Sequence, residues 1–171
     1  MRIILLFTAV LCLVASVGAQ TPATIIWQVT SFDLSVNVQQ TERSLSTVAT
    51  INAINVGTGS GRTLSLRLSS KASVSSVSVG GAAATFRQHK ETRDELQRIE
   101  ISLPASVGPN GSVTAAVTYT FPVESNTGLM AISPIATQFL PGSFWYPTPN
   151  TYYSPRGVDT APFRLTVNLP N

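Results

Sequence analysis

The chain has one histidine, His89, and one cysteine, Cys12. Zinc catalysis of the H-E-x-x-H kind needs two histidines one helical turn apart, or another cluster of ligands. A single histidine in the charged run His89–Glu95 meets neither need and reads as a surface residue. A Ser-His-Asp triad would have to recruit that same histidine, and no G-x-S-x-G elbow supports one. Asp94 and Glu95 are adjacent, so an extended chain points them apart, whereas acid–base work needs two positioned carboxyls with separated pKa values. The glycine-rich Gly57-Thr58-Gly59-Ser60-Gly61 would cradle phosphate only if a helix followed it. A strand, Thr63 to Leu68, follows instead, so the spacing predicts a hairpin connection. Asn110-Gly111-Ser112 matches a glycosylation sequon, but a tight turn explains Asn-Gly better.

One constellation remains. Phe144-Trp145-Tyr146-Pro147 and Tyr152-Tyr153 lie in a stretch rich in proline and aromatics. Trp145, Tyr146, Tyr152 and Tyr153 could form a stacking platform for sugars or peptides. Equally, the rings could pin a long loop onto the body of the protein, since aromatic side chains bury large areas.

The elements that must hold this loop read as strands. Phe32, Leu34, Val36 and Val38 alternate with Ser31, Asp33, Ser35 and Asn37, the period of a half-buried strand. Leu45 to Val56 is rich in Val, Ile and Thr. Val74, Val77 and Val79 precede a Gly80-Gly81 turn. Gln97, Ile99, Ile101 and Leu103 share one face, and Pro104 is expected to end that strand. Val113, Ala115, Val117 and Tyr119 share a face of the next. From Pro122 to Pro162 strand signals fade, and Phe163 to Leu169 forms a last strand. Strands separated by turns, without a sustained helical period, predict an all-β fold, an antiparallel β-sandwich with a long loop before its final strand.

At the start, Arg2 precedes an apolar run from Ile3 to Val17, and Val17-Gly18-Ala19 offers small residues for cleavage. This reads as a secretory signal peptide over 1–19, with Gln20 as the new N-terminus and a periplasmic or extracellular destination. The run is short of the roughly 20 residues a spanning helix needs, so no membrane span is expected after its removal. Residues 20–171 are long enough for a single domain, and because the one cysteine lies in the leader that domain is expected to be held by packing and sheet hydrogen bonds. Only 11% of residues are charged, and Lys71 and Lys90 are the only lysines. The basic stripe of a nucleic-acid binder is missing. Leu165, Val167 and Leu169 carry an apolar alternation up to the last residues, which suggests the N-terminal part of a longer protein.

The order of these features resembles the N-terminal β-domain of aminopeptidase N-type (gluzincin) zinc metallopeptidases, a saddle-like two-sheet domain. The resemblance runs through Phe32-Asp33-Leu34-Ser35-Val36, Thr50 to Val56, Leu64 to Leu68, Val77 to Gly81, Leu103-Pro104 and Tyr119. Ala136-Thr137-Gln138-Phe139 resembles the family's Thr-Gln-Phe-Glu segment at the active-site cleft, and Trp145-Tyr146-Pro147 its aromatic-proline step. The resemblance implies that Gln138 lines the pocket for the substrate's first side chain. The family's following glutamate, which holds the substrate amine, is Leu140 here, and a leucine cannot bind an ammonium group. The Asp-Glu-Pro motif is not intact; Asp159 stands in Asp-Thr-Ala-Pro-Phe. The family's zinc ligands lie in a following, mostly helical domain. The resemblance therefore implies that this chain has no catalytic residues or metal of its own. Its expected partners are the downstream catalytic domain of the same polypeptide and a peptide substrate, with zinc in that missing domain.

Overall fold

The computed structural model describes residues 23–91, 95–124, 126, 129–140, 142–149 and 161–169. The leader, Tyr152, Tyr153 and Asp159 lie outside them. Among the described residues every regular element is a strand: β1 (Trp27–Gln39), β2 (Ser44–Asn55), β3 (Gly61–Ser69), β4 (Ser73–Val79), β5 (Ala82–Ala83), β6 (Phe86–Lys90), β7 (Leu96–Val107), β8 (Ser112–Pro122), β9 (Met130–Ile132), β10 (Thr137–Phe139) and β11 (Phe163–Asn168). They form a six-stranded sheet in the order β11-β1-β2-β8-β4-β5, a three-stranded sheet β3-β7-β6 and a separate β9–β10 hairpin.

The two larger sheets enclose one core. From the six-stranded sheet come Leu34, Val36, Leu45, Ala49, Ile51, Val117, Tyr119 and Phe121; from the three-stranded sheet come Leu64, Leu66, Leu68, Ile99 and Ile101. Their alternation with outward Ser, Thr and Asn is the period-two pattern of the sequence. The pairing is antiparallel except at one edge, where β11 lies parallel to β1. Parallel strands need a long crossover, and the chain from Val123 to Pro162 supplies it.

Three local readings change. The segment from Gly57 to Gly61 is not a hairpin, because β2 and β3 belong to different sheets. It carries the chain from one sheet to the other around buried Asn55. The Asn55 side-chain oxygen accepts from Gly57 N (3.0 Å) and Ile26 N (3.2 Å), and its amide donates to Gly59 O (2.7 Å) and Val107 O (3.3 Å). A Cβ on Gly57 would collide with the Thr24 carbonyl, so close backbone approach explains that glycine. Pro104 does not end its strand either. β7 runs on to Val107, with a shift in its pairing to β3 between Gly61 and Thr63. Proline is tolerated where ladder pairing lapses. Finally, the charged tip is shorter than its composition suggests. His89 and Lys90 belong to β6, paired with Arg98 and Gln97.

Gly80 (φ 59°) and Gly81 (φ 85°) form the two-residue turn between β4 and β5. Both central residues have positive φ, the requirement of a tight hairpin whose twist suits its strands.

Candidate functional site

The β9–β10 hairpin sits apart from both sheets, and the sequence missed it inside the long loop. Its turn is closed by Ser133. The Ser133 N donates to Ala136 O (2.9 Å), and its hydroxyl oxygen accepts from Ile135 N (3.3 Å) and Ala136 N (3.1 Å). At the tip Ile135 is 97% exposed.

Alternation along β10 decides where each candidate points. Gln138, paired with Ala131, faces solvent. Phe139 turns inward and meets Phe121 of β8 edge-on (6.2 Å between centroids) and Trp145 (5.4 Å). Leu140 follows, 41% exposed, with its N–H donated to Leu129 O (2.8 Å).

Trp145 and Tyr146 extend this contact across the mouth of the sandwich. Trp145 packs edge-on against Tyr146 (5.2 Å), and Tyr146 against both Phe32 of β1 and Phe163 of β11 (5.4 Å each). A continuous chain of rings thus links the hairpin to the last strand. Such edge-to-face pairs contribute about 0.5–1.5 kcal/mol each beyond the area they bury. Both Trp145 and Tyr146 are half-buried and pack on the core.

Two polar anchors fix the arrangement. The Tyr119 hydroxyl donates to the Trp145 carbonyl oxygen at 2.7 Å. Burial pushes the Tyr119 phenol far above its ordinary range, and the Thr47 hydroxyl beside it draws it part of the way back. Asn126 holds the hairpin: its side-chain oxygen accepts from Arg43 Nη2 (2.8 Å) and from Ile132 N (3.0 Å). Further along, Thr148 exchanges both backbone hydrogen bonds with Arg67, so the loop caps the free edge of β3.

The region has no charge. Residues 125–155 contain no Asp, Glu, Lys, Arg or His. It can offer the Gln138 amide as donor and acceptor, and the side chains of Leu129, Ile135 and Leu140 as apolar contacts. Among the described residues no group of three or more His, Cys, Asp and Glu could hold a metal. His89 stays on the sheet surface, 3.4 Å from Glu100. Also among the described residues, no helix is long and apolar enough to cross a membrane.

The structure therefore brings Gln138, Trp145 and Tyr146 into one neighbourhood through Phe139. Tyr119 was legible in sequence only as a phenol on an otherwise apolar strand face, where a buried hydroxyl must find a partner. No local pattern marked Asn126.

Likeness to known structures decides what fold this is. A crystal structure of an M1 zinc metallopeptidase from Deinococcus radiodurans matches with a TM-score of 0.60 at 20% identity, over 84% of this chain and 32% of that one. A two-domain M1 zinc metallopeptidase bound to L-tryptophan matches with a TM-score of 0.60 at 19% identity, over 84% and 33%. Native leukotriene A4 hydrolase from Saccharomyces cerevisiae matches with 0.61 at 16%, over 84% and 23%. The chain has the fold of one part of these enzymes. It spans about a third or less of their length. No protein-family model matches the sequence, and a comparison with curated proteins finds no match either.

Proposed function

We propose that this chain is the non-catalytic N-terminal β-domain of an exported, aminopeptidase N-like zinc metallopeptidase. The observation that carries the reading is the fold likeness over 84% of the chain to enzymes of which it covers only 32–33%. In this reading residues 1–19 direct export to the periplasm or the extracellular space. The downstream part of the polypeptide holds zinc, whose bound water would attack a peptide carbonyl. The described residues of this chain do not fit a metal, so none of them is assigned a step at it. Their work is positional. The ring chain from Phe139 to Phe163 stiffens the loop, and the hairpin presents the Gln138 amide to the substrate's first side chain. Leu140 supplies an apolar wall where an ammonium anchor would otherwise stand. The alternative is a stand-alone sandwich that binds carbohydrate or protein through its aromatic loop. The packing of Trp145 and Tyr146 against neighbouring rings, tilted at Phe139 and edge-on elsewhere, favours the first reading, because a sugar platform needs an open ring face.

The test begins with the coding sequence beyond residue 171. An in-frame H-E-x-x-H with a distal glutamate is expected, and a stop codon directly after Asn171 would overturn the reading. In the whole polypeptide, Gln138→Ala should raise KM several-fold and leave kcat within about threefold, the mark of a binding contact rather than a reacting group.

A further inference from the structure

The turn between β7 and β8 carries an inference that goes beyond the proposed function and does not depend on it. Asn110 is the only asparagine of the chain that is followed by glycine. It is exposed at the tip of the hairpin. Glycine leaves its main-chain nitrogen unshielded, so Gly111 N is a ready nucleophile for the side-chain amide carbon of Asn110.

The fold holds these two atoms apart. Gly111 N donates to Gly108 O at 3.0 Å, closing a turn with Pro109 and Asn110 at its centre. Pro109 presets a negative φ and Asn110 has φ 62°, the pattern of a type II turn. In such a turn ψ of the second central residue is about 0°. Gly111 N then lies beside Asn110 N, turned away from Cβ. A five-membered ring through Cβ and Cγ needs the Cα–C bond rotated out of that setting. Asn55 opposes the rotation. Asn110 N donates to Asn55 O at 2.8 Å, and Asn55 N donates to Gly111 O at 2.9 Å. Both ends of the Asn110–Gly111 unit are thus clamped to a buried residue.

We propose that Asn110 is a modification site that the fold keeps closed, and that its conversion to isoaspartate prevents the opened turn from closing again. On opening, Gly111 N loses its proton and bonds to Asn110 Cγ. The Cγ–Nδ2 bond breaks, and Nδ2 leaves as ammonia, carrying a proton away. Water then adds to either carbonyl of the succinimide ring, which opens to aspartate or isoaspartate. In isoaspartate the main chain runs through Cβ and Cγ, so it is one methylene longer between Asn110 N and Gly111 O. The two bonds to Asn55 no longer fit together. Loss of that clamp reaches the Asn55 side chain, which ties Ile26 and Gly57 to Gly59 and Val107 where the chain passes between the sheets.

The test incubates the full chain at mildly alkaline pH, folded and in urea, and follows Asn110 by peptide mapping. In the folded chain conversion should be at least about tenfold slower than in urea, by the same factor that protects Gly111 N–H from amide exchange, since both need the turn to open. Pro109→Ala loosens the turn and should speed conversion several-fold in the folded chain, with no change in urea. The isoaspartate form, separated by its added charge, should show faster amide exchange at Asn55 and Gly57. If Pro109→Ala fails to fold, the two wild-type rates and the exchange of the isoaspartate form decide. Equal rates in folded and unfolded chain overturn the proposal. So does an isoaspartate form with Asn55 still protected, or a glycan on Asn110, which would occupy the nitrogen that has to leave.

Discussion

The hydroxyl of Tyr119, buried on β8, donates to the main-chain oxygen of Trp145 at 2.7 Å. A core strand thereby holds the backbone of the aromatic loop 26 residues away. Without that bond the Trp145 carbonyl would lose its side-chain partner. Tyr119→Phe keeps the packing and removes the donor. It should cost about 0.5–1.5 kcal/mol in urea unfolding, with faster amide exchange at residues 142–149. An unchanged exchange pattern would show that the ring contacts alone fix the loop.

The same phenol sets an alkaline limit. Burial raises the folded-state pKa of Tyr119 above the ordinary value of 10.0 that an unfolded chain has. Above that pH the unfolded state loses the proton while the folded state keeps it, so stability is complete below pH 10 and falls as pH rises further. Unfolding free energy measured from pH 9 upwards should decline in the wild type, and the decline should be shallower in Tyr119→Phe.

Asn126 makes a second tie, between Arg43 in the β1–β2 turn and Ile132 of the hairpin. Asn126→Ala removes both bonds at once, whereas Arg43→Ala removes one. Limited proteolysis should cut within 129–140 several-fold faster in Asn126→Ala. The two substitutions should be less than additive, since each breaks the same Arg43–Asn126 contact.

Asn55 sits at the crossing between the sheets with its whole side chain buried. Asn55→Ala strands the N–H groups of Ile26 and Gly57 and the carbonyls of Gly59 and Val107. Each orphaned buried group costs roughly 1–3 kcal/mol, reduced where water can enter. A total loss of about 3 kcal/mol or more is expected in thermal or urea unfolding. Asn55→Asp should fall between, since it keeps the acceptor for Ile26 and Gly57 but removes the donor.

How much of this was legible follows from what governs each residue. Phe32, Leu34, Val36 and Tyr119 declare their face by alternation alone, because one side of a sheet is buried and the other wet. The assignment of strands to sheets is not local. Leu45–Asn55 and Thr63–Leu68 look like hairpin arms, but Asn55 and the glycines after it route them to opposite layers. β9 and β10 are too short for periodicity to show and owe their order to Asn126 and to Phe139 packing on Phe121. The parallel seat of β11 depends on a 40-residue excursion whose return direction no window of sequence encodes.

Leu140 offers the sharpest test of the site reading. It is 41% exposed and bonded through its backbone N–H to Leu129, so its side chain can change without disturbing the hairpin. Leu140→Glu should alter stability by no more than about 0.5 kcal/mol, as surface substitutions do. It also introduces the first charge into a segment, 125–155, that otherwise has none. If the hairpin faces a peptide amino terminus in the whole polypeptide, the new carboxylate meets an ammonium and forms a charge-assisted contact that Leu140 cannot make. KM for a peptide with a free amino terminus should then fall at least fivefold relative to the same peptide acetylated. Equal effects on both peptides would place Leu140 away from the substrate amine.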